Sequence, residues 1–124
     1  MTVEILVVDD QPGIRLLLTD ILTNEGYVIT TASTGKEAVD ILKEKQFALM
    51  ILDYKLPIID GMEVLRIIDE LKIHIPAIVM SGLVEKIEED MKINPLVKKL
   101  IAKPFNIHEI PKVVRRVMQD FNYN

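Results

Sequence analysis

The sequence contains no cysteine. That absence excludes disulfides, cysteine–zinc centres, thiol nucleophiles and iron–sulfur clusters, and it is compatible with a reducing compartment. A basic excess is also missing. Lys and Arg number 15 against 19 Asp and Glu, a net charge of −4, which argues against a nucleic-acid partner. Met1-Thr2-Val3-Glu4 has no basic region followed by a long apolar one, so no signal peptide is expected. The longest charge-free stretch in the middle of the chain, Ile73 to Val84, is broken by His74, Pro76, Ser81 and Gly82 and is too short to cross a membrane. Neither a Gly-x-x-x-x-Gly-Lys-Ser/Thr loop nor a Gly-x-Gly-x-x-Gly fingerprint occurs, so the chain offers no obvious nucleotide cradle. A cytoplasmic chain with no membrane and no nucleic-acid role is the expectation.

The 124 residues fit one domain, and with 49% of them apolar the chain can bury a proper core. The organisation alternates. Ile5 to Val8 is a continuous branched run and reads as a strand buried on both faces. Ile14, Leu17, Leu18, Ile21 and Leu22 recur at helical spacing, with Gly26 placed to stop the helix. Further strands are expected over Tyr27 to Ala32, Ala48 to Leu52, Ala77 to Met80 and Val97 to Ala102. Thr34-x-x-Glu37 and Asp60-x-x-Glu63 are capping signals. They open helices carrying Ala38, Ile41 and Leu42, and then Leu65, Ile68 and Leu71. A weaker acidic helix is expected over Val84 to Lys92. A last helix opens at Asn106 and carries Ile110, Val113, Val114, Val117 and Phe121 on one face. Pro111 falls about one turn inside it, so its start should be irregular. Five alternations of strand and helix with short connections mean a parallel sheet covered on both faces.

Ligands of such sheets bind beyond the carboxyl ends of the strands. The polar residues there are Asp9-Asp10, Asp53, Ser81 and Lys103; the Gln11-Pro12-Gly13 segment is read as separating Asp9 and Asp10 from the helix. One ammonium cannot balance three clustered carboxylates. A divalent cation would, and with hard oxygen ligands Mg2+ is the natural ion, Mn2+ the alternative. A carboxylate can also be a nucleophile that forms an aspartyl phosphate. Lys103 and the ion would then neutralise phosphoryl oxygens, and Ser81 could donate a hydrogen bond. His74 and His108 have no carboxylate partner at fixed spacing and read as surface residues.

Ile5-Leu6-Val7-Val8-Asp9-Asp10, Leu49-Met50-Ile51-Leu52-Asp53, Leu56-Pro57-x-x-Asp60-Gly61, Val79-Met80-Ser81-Gly82 and Lys103-Pro104-Phe105 together resemble a response-regulator receiver domain, in order and across essentially the whole chain. The resemblance implies a flavodoxin-like (βα)5 three-layer sandwich with a five-stranded parallel sheet of order 2-1-3-4-5, one receiver domain over residues 1–124 and no output domain. It also implies that Asp53 is the phosphoacceptor. Asp9, Asp10, Asp53 and the main-chain carbonyl of Lys55 would hold Mg2+. Ser81 and Lys103 would contact the phosphoryl oxygens, and Lys103-Pro104 would be a cis peptide. Asp9-Asp10-Gln11-x-Gly13-Ile14-Arg15, Lys55 and Ala102-Lys103-Pro104-Phe105 are most similar to the single-domain phosphorelay regulators of sporulation.

The implied partners are a histidine kinase, a histidine phosphotransferase and an aspartyl-phosphate phosphatase, met by a monomer. A donor histidine must come in line with Asp53, so the partner surface is expected to include Gln11, Gly13, Ile14, Leu17, Lys55, Pro104 and Phe105. The chain would be a phosphoryl carrier that catalyses its own phosphorylation. A chemotaxis-type switch and a docking module that takes no phosphate are the alternatives. A haloacid-dehalogenase-type phosphatase would need a second acid two residues after the first, where Lys55 stands. Three departures from the family pattern are visible. Pro12 stands where the sporulation regulators carry an aromatic residue, Leu100 stands where receivers commonly carry Tyr, Phe or His, and Pro95 to Lys98 occupies the region of a usual Gly-Ala pair. The usual coupling of the Ser81 hydroxyl to an aromatic side chain is therefore not secured by the sequence.

Overall fold

Five parallel strands form one sheet in the order β2-β1-β3-β4-β5. The structure, a computed structural model, describes residues 2–83, 88 and 94–123. The elements are β1 (Glu4–Val8), α1 (Pro12–Thr23), β2 (Val28–Ala32), α2 (Gly35–Glu44), β3 (Leu49–Asp53), α3 (Gly61–Glu70), β4 (Ala77–Ser81), β5 (Val97–Ala102) and α4 (Glu109–Tyr123). The acidic helix expected over Val84 to Lys92 lies outside the described residues, except that Glu88 is helical and exposed.

Successive strand residues point to opposite faces, and the apolar runs fill both. Leu6, Val8, Met50 and Leu52 pack with Ala38, Leu42, Val64, Leu65 and Ile68 from α2 and α3. Ile5, Val7, Leu49 and Ile51 pack with Leu18, Leu22, Ile110, Val114 and Val117 from α1 and α4. This is why β1 reads as a continuous branched run: it has no solvent face. The three-layer sandwich follows.

Both capping signals act as read. Thr34 accepts from the Glu37 N–H, and the Glu37 carboxylate reaches back to the Ser33 N–H at 2.6 Å. Asp60 accepts from the Glu63 N–H at 3.0 Å. Three local readings are corrected. Gln11-Pro12-Gly13 is no spacer: Gln11 is the N-cap and Pro12 the first residue of α1, where its missing N–H is harmless. Leu71 is the C-cap of α3 and exposed, not a face residue; Lys72, at φ 60, ends the helix in the left-handed region. Pro111 lies in the first turn of α4, which starts from a turn closed by the Glu109 N–H on the Asn106 carbonyl at 3.0 Å. It therefore interrupts no helix interior.

Gly61 is where α3 meets the end of β3. A Cβ there would lie 2.8 Å from the Asp53 carbonyl oxygen and 3.0 Å from the Tyr54 Cα, both backbone atoms that cannot swing away. Gly61→Ala should therefore destabilise the chain by about 2 kcal/mol, an ordinary penalty for overpacking. It should appear as a lower urea midpoint at unchanged slope. An unchanged midpoint would show that the loop yields freely.

Candidate functional site

The register places the site. Val8 pairs with Leu52, so Asp9 and Asp53 emerge side by side from adjacent strands. Ser81 pairs with Ala102 across β4 and β5, and the Lys103 N–H donates to the Ser81 carbonyl at 2.9 Å. Lys103 thus leaves β5 next to the same rim. Carboxylate oxygens of Asp9, Asp10 and Asp53 lie within 4.8 Å of one another.

Asp9 is 0% exposed and Asp53 and Ser81 are each 5% exposed, whereas Asp10 is exposed. The Lys103 ammonium bridges the buried pair, 2.7 Å from Asp9 Oδ2 and 3.3 Å from Asp53 Oδ2. Burial pushes the Asp53 carboxyl above its ordinary pKa. The Asp9 charge adds to that push, and Lys103 and the Lys55 N–H oppose it. Burial alone would lower the Lys103 pKa, but its hydrogen bond to Asp9 and the charges of Asp9 and Asp53 win, so it is raised. Lys103 is therefore a fixed positive charge.

Asp9 also does local work: its Oδ1 accepts from the Gln11 N–H at 2.9 Å, closing the turn into α1. Ser81 Oγ accepts from the Leu83 N–H at 2.9 Å. Lys103-Pro104 is a cis peptide. A cavity of about 450 Å3 opens over these groups, lined by Asp10, Gln11, Asp53, Lys55, Leu56, Pro57, Gly82 and Lys103.

The expected rim residues divide. Gln11, Gly13, Leu17, Lys55 and Pro104 are exposed, but Ile14 and Phe105 are half-buried against the α1–α4 side of the core. Leu16, at 64%, is more exposed than Leu17. Periodicity did not single it out, because it falls between the core positions. Arg15, part of the sporulation-type motif, has a contact that the motif does not state. Its Nη1 donates to the Asp9 carbonyl at 2.8 Å, pinning the acidic turn from α1. Leu100, the residue in place of an aromatic, is half-buried against the α2–α3 side of the core. His74 and His108 are both exposed.

Three carboxylates at strand ends with one ammonium among them make a hard-oxygen donor set that suits a divalent cation. The sequence profile of the response regulator receiver domain matches residues 5–115. The chain belongs to the receiver family. As a receiver it is 37% identical over 120 residues to sporulation initiation phosphotransferase F of Bacillus subtilis, covering 95% of each chain. It is 30% identical over 119 residues to the alkaline phosphatase synthesis transcriptional regulatory protein PhoP of the same organism, of which it spans 50%. It spans about half the length of several other relatives as well.

Among solved structures, this receiver superposes on the response regulator TrrA of Thermotoga maritima in complex with Mg2+ and BeF. That match has a TM-score of 0.82 and 34% identity, covering 94% of this chain and 99% of the other. The chemotaxis response regulator CheY4 of Vibrio cholerae gives 0.85 at 26% identity, covering 94% of this chain and 99% of the other. Among the described residues no helix is long and apolar enough to cross a membrane.

Proposed function

We propose that this receiver accepts a phosphoryl group on Asp53 from a phosphohistidine and passes it to a second histidine, as a carrier in a sporulation-type phosphorelay. The observation that carries the reading is the arrangement at Asp53. A nearly buried carboxylate opens onto a cavity, with a fixed ammonium at 3.3 Å and two more carboxylates beside it. An Asp53 oxygen attacks phosphorus. The O–P bond forms as the N–P bond of the donor breaks, and the electron pair stays on the donor imidazole, which takes a proton from water. Lys103 faces the charge that develops on the phosphoryl oxygens, and the Lys55 N–H holds the carboxylate in place.

Asp9, Asp10 and Asp53, with the Lys55 carbonyl, would hold Mg2+ (or Mn2+), which when bound neutralises phosphoryl oxygens. The donor has to be activated already, since the chain has no nucleotide loop. The near-complete mutual coverage with sporulation initiation phosphotransferase F favours a carrier over a chemotaxis-type switch. So does Leu100, which cannot act as an aromatic rotamer. A cytoplasmic setting, a kinase, a phosphotransferase and a phosphatase as partners belong to the same reading. Phosphoryl exchange with a panel of kinases and histidine phosphotransferases tests it. A chain that takes label from a kinase but returns it to no histidine would be a switch.

A carrier needs a lasting aspartyl phosphate. Lys55, two residues after Asp53, lines the same cavity and would pair with a phosphoryl oxygen and crowd an attacking water. Lys55→Asn should shorten the half-life of the phosphorylated chain several-fold, measured as loss of label after donor removal. An unchanged half-life would move control of lifetime elsewhere, for example to Leu83.

A further inference from the structure

We propose that Ile58 is an apolar anchor for the histidine-bearing partner, held out from the mouth of the Asp53 cavity by a strained turn; this rests on the phosphotransfer reading above. Ile58 is 100% exposed, the most exposed of the large apolar residues among those described. It also sits at φ 69, a left-handed conformation in which a β-branched residue is a true outlier. The Ile59 N–H donates to the Pro57 carbonyl at 2.9 Å, closing a three-residue turn around Ile58 of the rare, strained hand.

The surroundings impose this conformation. The Gly61 N–H is tied to the Tyr54 carbonyl at 2.7 Å, which fixes the far end of the loop. Ile59 lies so close to Gly35 that a Cβ on that glycine would be 2.7 Å from Ile59 Cγ1. Glycine would take this turn freely. A branched apolar side chain there adds strain and gains no burial. No burial among the described residues offsets that strain, and a gain on binding would.

Position identifies the occupant. Lys55, Leu56 and Pro57 line the cavity that holds Asp53, and Ile58 is the next residue. Across the cavity, Gly82 also lines it, and Leu83 beside it is 57% exposed. Two exposed apolar residues thus each directly follow a residue that lines the cavity. A phosphohistidine must enter the mouth of that cavity to reach Asp53, so the helix that carries it comes to rest on both. The fitting partner is a helix with apolar side chains next to its histidine.

The test compares the unmodified chain with Ile58→Gly and Ile58→Asp. The donors are acetyl phosphate and the autophosphorylated histidine kinase that labels the unmodified chain fastest in a panel. Both variants should lose about tenfold in kinase transfer, the scale of losing one interface anchor. Labelling by acetyl phosphate, which needs no protein surface, should match the unmodified chain, and Ile58→Gly should melt a few degrees higher as the strain is released. Undiminished kinase transfer in both variants overturns the anchor. Equal loss with both donors overturns it too, because the loop would then act on Asp53 itself. A concentration-dependent dimer of the unmodified chain that Ile58→Gly abolishes would assign the surface to a second copy instead. Failure of the unmodified chain to take label from either donor contradicts the underlying phosphotransfer reading, and is separable from every other outcome.

Discussion

Asp53→Asn abolishes labelling by acetyl phosphate and by any kinase, while the folded chain becomes more stable in EDTA. The first effect is chemical, since an amide cannot attack phosphorus. The second follows from electrostatics. Burial and the Asp9 charge raise the Asp53 pKa in the folded chain despite Lys103 and the Lys55 N–H. The folded state then holds this proton more tightly than the unfolded state, so stability falls as pH rises from the ordinary carboxylate pKa to the raised one. At neutral pH both states have lost the proton and the whole penalty is present; Asn removes it. Melting curves in EDTA from about pH 4 to pH 7 check the sign. The unmodified chain should lose ground to the variant as pH rises. A constant gap, or a variant that is less stable at neutral pH, would contradict the electrostatic account, and equal labelling would remove Asp53 from the site.

Replacing Lys103 has the opposite effect and a larger one. Its ammonium lies 2.7 Å from Asp9 Oδ2 and 3.3 Å from Asp53 Oδ2, and it bridges two carboxylates that are almost wholly out of solvent. Methionine keeps much of the stem and deletes the charge. Stripping one partner from a buried pair leaves uncompensated charge, and Lys103→Met should destabilise the chain by about 3 kcal/mol at neutral pH in EDTA. The Asp53 carboxyl, already raised, then loses the ammonium that opposed its rise, so the loss should shrink on acidification as it takes up a proton. Saturating Mg2+ should also restore stability, because a bound cation stabilises the folded state by mass action. Urea melts near pH 5 and pH 7.5, with and without Mg2+, read all of this. A loss that ignores both pH and Mg2+ would mean that Lys103 acts through packing alone.

Much of this architecture is legible in the residues, for reasons that differ between elements. The inner strands β1, β3 and β4 are buried runs that are apolar up to their carboxyl ends, because the sheet is covered on both sides there, whereas the edge strands β2 and β5 carry Thr30, Thr31, Lys98 and Lys99. The ends of β1, β3, β4 and β5 are visible because those runs stop at Asp9, Asp53, Ser81 and Lys103. Thr34 and Asp60 are legible because a cap is a local bargain between residues three apart. The start of α1 is not, because Gln11 caps it without a side-chain hydrogen bond. Lys72 and Ile58 are invisible for a related reason: glycine is the usual signal for a left-handed backbone, and neither position has one. Leu71 keeps the helical period one residue beyond the helix, where only the backbone shows that it has ended.

The site divides in the same way. That the polar groups share a rim follows from strand direction alone. That Lys103 reaches Asp9 across 94 residues of sequence, and that Arg15 holds the Asp9 carbonyl, depends on register and side-chain reach, which no local pattern encodes. The burial of Ile14 is of the same kind. It lies on the helix face as expected but is half-spent on the core, so it has less surface to offer a partner than Leu16.

The most direct measurement is to place the phosphoryl group. The unmodified chain, incubated with acetyl phosphate and Mg2+, digested and sequenced by mass spectrometry after reductive trapping of the acyl phosphate, should carry the modification at one residue, Asp53, with none formed when EDTA replaces Mg2+. A group found on His74 or His108, on Asp9 or Asp10, or on no residue at all would contradict the assignment.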